Sequence, residues 1–184
     1  MQTEEEDCIL HVNGPMSCQG IGAEGISATG DNTQLTVRGP ISTNGADSEG
    51  ISLSGNNLIA NILNSITTVG LDAEGISITG NNTNLSVEDA VITTDNLSEG
   101  ISLIGDNSVV LIKGQVITEG GDSPGVIFLG SNNTLNISGE INSMQGTAVT
   151  FINTVLGSSD FLIVEQPDLR KRAVLSSGDE YAVK

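Results

Sequence analysis

Apolar and polar residues alternate along this chain in short runs, and the runs recur at one interval. GISATG, GISLSG, GISITG, GISLIG and GVIFLG begin at Gly25, Gly50, Gly75, Gly100 and Gly125, 25 residues apart with no insertion between them. A two-residue alternation is that of a strand with one buried face, whereas a helix repeats every 3.6 residues. Each repeat predicts three short strands. In the first, Ile26, Ile51, Ile76, Ile101 and Val126 face inward, joined two positions on by Ala28, Leu53, Ile78, Leu103 and Phe128, while Ser27, Ser52, Ser77 and Ser102 face out. The second turns Leu35, Ala60, Leu85, Val110 and Leu135 inward, then Val37, Ile62, Val87, Ile112 and Ile137. The third contributes one inward residue per repeat: Ile41, Ile66, Val91, Val116 and Ile141.

No single repeat can bury its own inner face. Stacked along an axis, the repeats place like positions about 4.8 Å apart and bury one continuous column. The predicted fold is therefore an all-β parallel β-helix, a β-solenoid of 25-residue coils with three short strands per coil. Glycines at the corners are expected to supply positive backbone angles, and asparagine is the next most tolerant residue there. Asn32, Asn57, Asn82, Asn107 and Asn132 mark one corner in every coil and are expected to form a hydrogen-bonded amide ladder. LHVNGPMSCQG, from Leu10, matches LTVRGPISTNG, from Leu35, position by position, so residues 1–22 read as a partial first coil and N-terminal cap. Residues 23–146 hold five repeats. Beyond Met144 the phase is lost, although AVTFINTVLG and DFLIVE still read as strands; residues 147–184 are expected to form irregular final coils, a C-terminal cap and a tail.

Composition narrows what such a rod contacts. The 184 residues carry 23 acidic against 6 basic side chains, a formal charge of −17, which repels phosphate backbones and anionic lipid. Nucleic acid is excluded as a partner. No run is long and apolar enough to insert in a membrane, and MQTEEEDC is acidic where a secretory leader begins basic, so no export segment is expected there. Cys8 and Cys18 define neither a disulfide framework nor a paired-cysteine metal site. Aromatic residues are too few for sugar-stacking platforms, and basic residues within the repeats are limited to Arg38 and Lys113.

The stretches GPISTNGADSEGISLSGNN and GQVITEGGDSPGVIFLGSNN resemble the G-x-I-x-T-x-G-x-x-x-x-G-I repeats of bacterial autotransporter passenger domains. The resemblance spans Leu10 to Ile141. It implies a right-handed parallel β-helix at the cell surface or outside the cell, acting as an adhesin, a stalk or a presentation rod. The implied partner is a protein or glycan on a host or neighbouring cell. It implies no catalytic motif, and the chain is expected not to be an enzyme.

Several columns of side chains are candidate sites. Glu24, Glu49, Glu74 and Glu99 precede the repeat glycine, with Asp47, Asp72 and Asp122 two positions earlier; hard oxygen ligands on a repeating edge suit calcium. The plainer reading is a solvated acidic edge, because stacked carboxylates about 5 Å apart repel by only ~0.8 kcal/mol in water. No cofactor is otherwise expected. A polysaccharide-active β-helix enzyme would cluster carboxylates with basic residues on a strand face, and this chain has no basic groove; His11 aligns with outward Thr36. Outward hydroxyls at Ser27 with Thr29, Ser52 with Ser54 and Ser77 with Thr79 resemble the faces of ice-binding solenoids, until Ile104, Ile127 and Leu129 interrupt them. Those three, with Val109, Leu111 and Ile117, occupy positions that earlier coils mostly fill with polar residues. They form a candidate apolar contact patch for self-association through the C-terminal coils. DLRKR, from Asp168, is the one basic cluster and reads as a solvated tail.

Overall fold

A computed structural model describes residues 2–4, 7–152, 160–164, 173–174 and 180–183, with side chains from 7–152 and 160–164. The described residues contain 22 strands and no helix, arranged in three parallel sheets along one axis. The first sheet stacks Gln2–Glu4, Ile26–Thr29, Ile51–Ser54, Ile76–Thr79, Ile101–Ile104, Val126–Leu129, Val149–Ile152 and Ala173–Val174. The second stacks Ile9–Val12, Gln34–Val37, Ile59–Ile62, Asn84–Val87, Val109–Ile112, Thr134–Ile137, Phe161–Val164 and Glu180–Val183. The third runs from Met16–Gln19 through Ile41–Asn44, Ile66–Val69, Val91–Thr94 and Gln115–Gly121 to Glu140–Gln145. The chain is thus a parallel β-solenoid with three strands per turn.

Register follows the repeat. Ile26 pairs with Ile51, Ile51 with Ile76, Ile76 with Ile101 and Ile101 with Val126, and the other two sheets keep the same interval apart from a shift late in the third, where Gly121 meets Gln145. All the inward aliphatic residues named above are buried and share one core. A strand at Gln2–Glu4 precedes the coil that the alternation placed first, and pairs with Ser27, Ala28 and Thr29. At the other end the phase changes without loss of pairing. Val126 meets Val149, two positions early, and Leu135 meets Leu162, two positions late. The stack therefore tolerates corners of different length while the strands hold their places.

Two features depart from the sequence reading. The third strand has two inward positions, because Thr43, Thr68, Thr93, Thr118 and Ser143 are buried as well. Each threonine hydroxyl donates across the corner to the carbonyl five residues on: Thr43 to Ser48 at 2.7 Å, Thr68 to Ala73 at 2.8 Å, Thr93 to Ser98 at 2.6 Å and Thr118 to Ser123 at 2.7 Å. Buried Ser98 then joins coils, accepting from the Ala73 amide at 3.1 Å and donating to the Gly70 carbonyl at 2.8 Å. A hydroxyl can be buried here because each one finds a carbonyl that the sharp turn would otherwise leave unpaired.

The second departure concerns glycine. Gly30, Gly55, Gly80, Gly105 and Gly130 do take positive φ, but Gly25, Gly50, Gly75, Gly100 and Gly125 do not. That second column is glycine for lack of room: a Cβ on Gly25 would stand 2.5 Å from the Gly50 carbonyl oxygen and 2.6 Å from Ile41 Cγ2.

Candidate functional site

Each coil turns three corners, and the candidate residues lie on them. Between the first and second sheets, Asn32, Asn57, Asn82, Asn107 and Asn132 all sit in the left-handed region, with φ from 57° to 59°. Their exposed amides bond along the axis, Asn57 to Asn32 and Asn82 to Asn57 at 3.1 Å, Asn132 to Asn107 at 3.4 Å. The preceding position forms a parallel ladder in which a side-chain oxygen accepts from the next coil's backbone N–H. Asp31 accepts from Asn56 at 2.7 Å, Asn56 from Asn81 at 3.0 Å, Asn81 from Asp106 and Asp106 from Ser131 at 2.8 Å. This corner spends its polar groups on the stack itself. A buried third column lies beside it, in which the Ser108 N–H donates to Asn133 at 2.9 Å and the Asn133 N–H to Asp160 at 2.6 Å.

The acidic column lies at the corner between the third and first sheets. Glu24, Glu49, Glu74 and Glu99 are half-buried on successive coils, while Asp47, Asp72 and Asp122 are exposed, with φ of 51°, 57° and 51°. Burial pushes the Glu49 and Glu99 carboxyls above the ordinary range and carries Glu74 to about 7. Hydrogen bonding to each residue's own backbone opposes the shift. Neighbouring negative charge adds to it, from Glu24 and Asp47 on Glu49, from Glu49, Glu99 and Asp72 on Glu74, and from Asp72 on Glu99. Among the described residues, no three His, Cys, Asp or Glu side chains are placed together to hold one metal ion. What the column can do, at Glu74, is retain a proton near neutral pH.

That retention has a sign. An unfolded glutamate titrates near 4.3, so between there and about 7 folded Glu74 keeps a proton that the unfolded chain has released. Raising the pH through this window therefore favours unfolding. The opposite shift, at exposed Glu88 held down by Lys113 at 2.8 Å, acts only below the window. Thermal melts at constant ionic strength are expected to fall from pH 5 to pH 8 by roughly 2–4 °C, after discounting for the part of the column that solvent reaches. Glu74→Gln is expected to flatten that slope; a wild-type midpoint independent of pH would contradict it.

The six residues of the expected apolar patch lie on three faces. Ile104, Ile127 and Leu129 belong to the first sheet, Val109 and Leu111 to the second, and Ile117 to the third. Ile104, Val109 and Leu129 are exposed and the others half-buried. They form short rows in place of one patch, since outward positions on different sheets point away from one another. One row, Ile104–Leu129–Ile152, runs in register on the first sheet. His11 is exposed on the second sheet. The basic cluster Arg170, Lys171 and Arg172 lies outside the described residues.

Residues that the alternation passed over stand at the acidic corner. Leu71 and Leu97 are 51% and 47% exposed on adjacent coils. Leu97 holds φ 57° at a position that the other coils fill with Gly22, Asp47, Asp72 and Asp122. The signal was present in the aligned repeats as the one large side chain in a column of glycine and aspartate. One coil further, Asp122, Pro124, Gln145, Gly146 and Thr147 line an open cavity of about 440 Å3, where Pro124 ends the glutamate column. Arg38 and Lys113, the only Lys or Arg among the described residues, are at the far end of second-sheet strands. No protein-family model, no curated protein and no solved structure matches the chain.

Proposed function

We propose that the chain is a non-enzymatic presentation or binding rod, of the adhesin or stalk kind, working at a cell surface or outside the cell. The observation that carries this reading is the unbroken register from Ile26 to Leu129, which repeats each outward position at a fixed step along the first sheet. A surface of that kind suits many weak, evenly spaced contacts with a protein or glycan. The resemblance to autotransporter passengers points the same way. Two of the three corners serve this use differently, since the asparagine corner is occupied with its own ladder and the acidic corner leaves its aspartates, Asp47, Asp72 and Asp122, to solvent.

The test is an array of immobilised surface proteins and of neutral and acidic polysaccharides, read for retained protein and for released sugar ends. Binding without product is the expected result. Product release would replace the reading with a polysaccharide-active enzyme, and retention by nothing on the array would remove the binding role.

A further inference from the structure

Leu97 is the one leucine with positive φ among the described residues. A leucine in the left-handed region costs about 1–2 kcal/mol, and this one remains 47% exposed. Its backbone is tied in place, with the Leu97 N–H donating to the Gly121 carbonyl at 3.1 Å, as the Asp72 N–H donates to Asn96 at 3.1 Å one coil earlier. The stack imposes the angle, and aspartate or glycine serves it elsewhere. Strain of this kind without compensation inside the fold points to use outside it.

The surroundings say what would use it. Leu71 lies on the preceding coil, one position out of register with Leu97, so the same corner carries an exposed leucine on each of two adjacent coils. Asp72, Asp95, Glu74 and Glu99 surround them, and no cation among the described residues shares this corner. One step along the axis from Leu97, Asp122 occupies its equivalent position and lines the 440 Å3 cavity with Gln145 and Thr147. The ring of Pro124 gives that cavity an apolar wall.

We infer that this corner is a docking surface for an extended, basic segment of a partner protein. An aliphatic side chain of the segment rests on Leu71 and Leu97, and a neighbouring lysine or arginine enters the cavity toward the Asp122 carboxylate. Charge complementarity selects the partner, because a −17 chain whose charged residues at this corner are all acidic repels acidic segments and attracts basic ones. The dimensions agree. Leu71 to Asp122 spans two coil steps, on the order of 10 Å, which an extended strand covers in about three residues.

The inference rests on the reading of the chain as a binding rod, and the test separates the two. A fluorescent peptide alternating leucine and lysine is titrated by polarisation at low and at moderate salt, beside a peptide with serine in place of leucine. Wild-type protein is expected to bind the first peptide and to hold the second at least tenfold more weakly. Leu97→Asp, which installs the residue of both flanking coils, is expected to weaken binding tenfold or more with no loss of thermal stability. Asp122→Asn is expected to weaken it several-fold and to shallow its salt dependence. Equal binding of both peptides would reduce the surface to general charge attraction, and unchanged binding by Leu97→Asp would overturn the assignment. A blank titration beside positive array spots would sink the corner and leave the rod; blanks in both would sink both.

Discussion

Gly75→Ala is expected to destabilise the chain by about 3 kcal/mol, the upper part of the range for overpacking, and to lower its melting temperature by roughly 6–12 °C. The added Cβ would lie 2.5 Å from the Gly100 carbonyl oxygen and overlap Val91 Cγ1. Neither obstacle can step aside. The Gly100 carbonyl accepts from the Ile76 N–H at 3.0 Å, and Val91 is fully buried between the coils that carry Ile66 and Val116. Relief would require the corner to open, which breaks the inter-coil bonds on either side. Gly14→Ala is the matched control, since nothing lies within 4 Å of its Cβ, and it is expected to change stability by no more than about 0.5 kcal/mol. Paired thermal and urea melts decide the matter; equal midpoints for the two variants would mean that the glycine column is not set by space.

Phe128→Ala is the second large effect, about 3–5 kcal/mol from the lost side chain and the cavity it leaves. Phe128 and Phe151 are both fully buried and stack across adjacent coils, with ring centroids 4.9 Å apart and planes 10° from parallel. They pair where the 25-residue phase gives way, so the stack fastens the regular coils to the irregular one. Phe128→Leu should cost only about 1–2 kcal/mol, because Leu53 and Leu103 fill the same position in other coils. Urea unfolding of the three proteins tests this. A loss under 1 kcal/mol for Phe128→Ala would mean that the end of the rod unfolds independently of the rest. Repeat proteins permit that behaviour, because each coil is stabilised only by its neighbours.

The inward aliphatic columns were legible because a period of two at a fixed 25-residue interval admits few alternatives. Thr43 and its equivalents were not, since a hydroxyl beside a turn reads as outward until the carbonyl five residues on is seen to need a donor. The glycine interval was plain while its cause was only half so: alternation cannot tell a glycine that needs both positive φ and space, such as Gly80, from one that needs space alone, such as Gly75. For the candidate site, the glutamate column was visible as spacing. Its proton affinity was not, because that depends on how far each carboxyl is drawn from water. Leu97 stands apart in the aligned repeats, but at a corner, where a strand period of two carries no expectation for an apolar residue.

The register has a consequence for how such a molecule changes over generations. Gly50 and Gly75 occupy equivalent places, as do Ile51 and Ile76, so loss of residues 51–75 would join Gly50 to Ile76 through a junction chemically the same as the two it replaces. Length in this architecture is counted in whole coils. Misaligned recombination at the stretches that encode the recurrent Glu-Gly-Ile-Ser would yield shorter or longer rods that still fold, each with the same ends and a different reach.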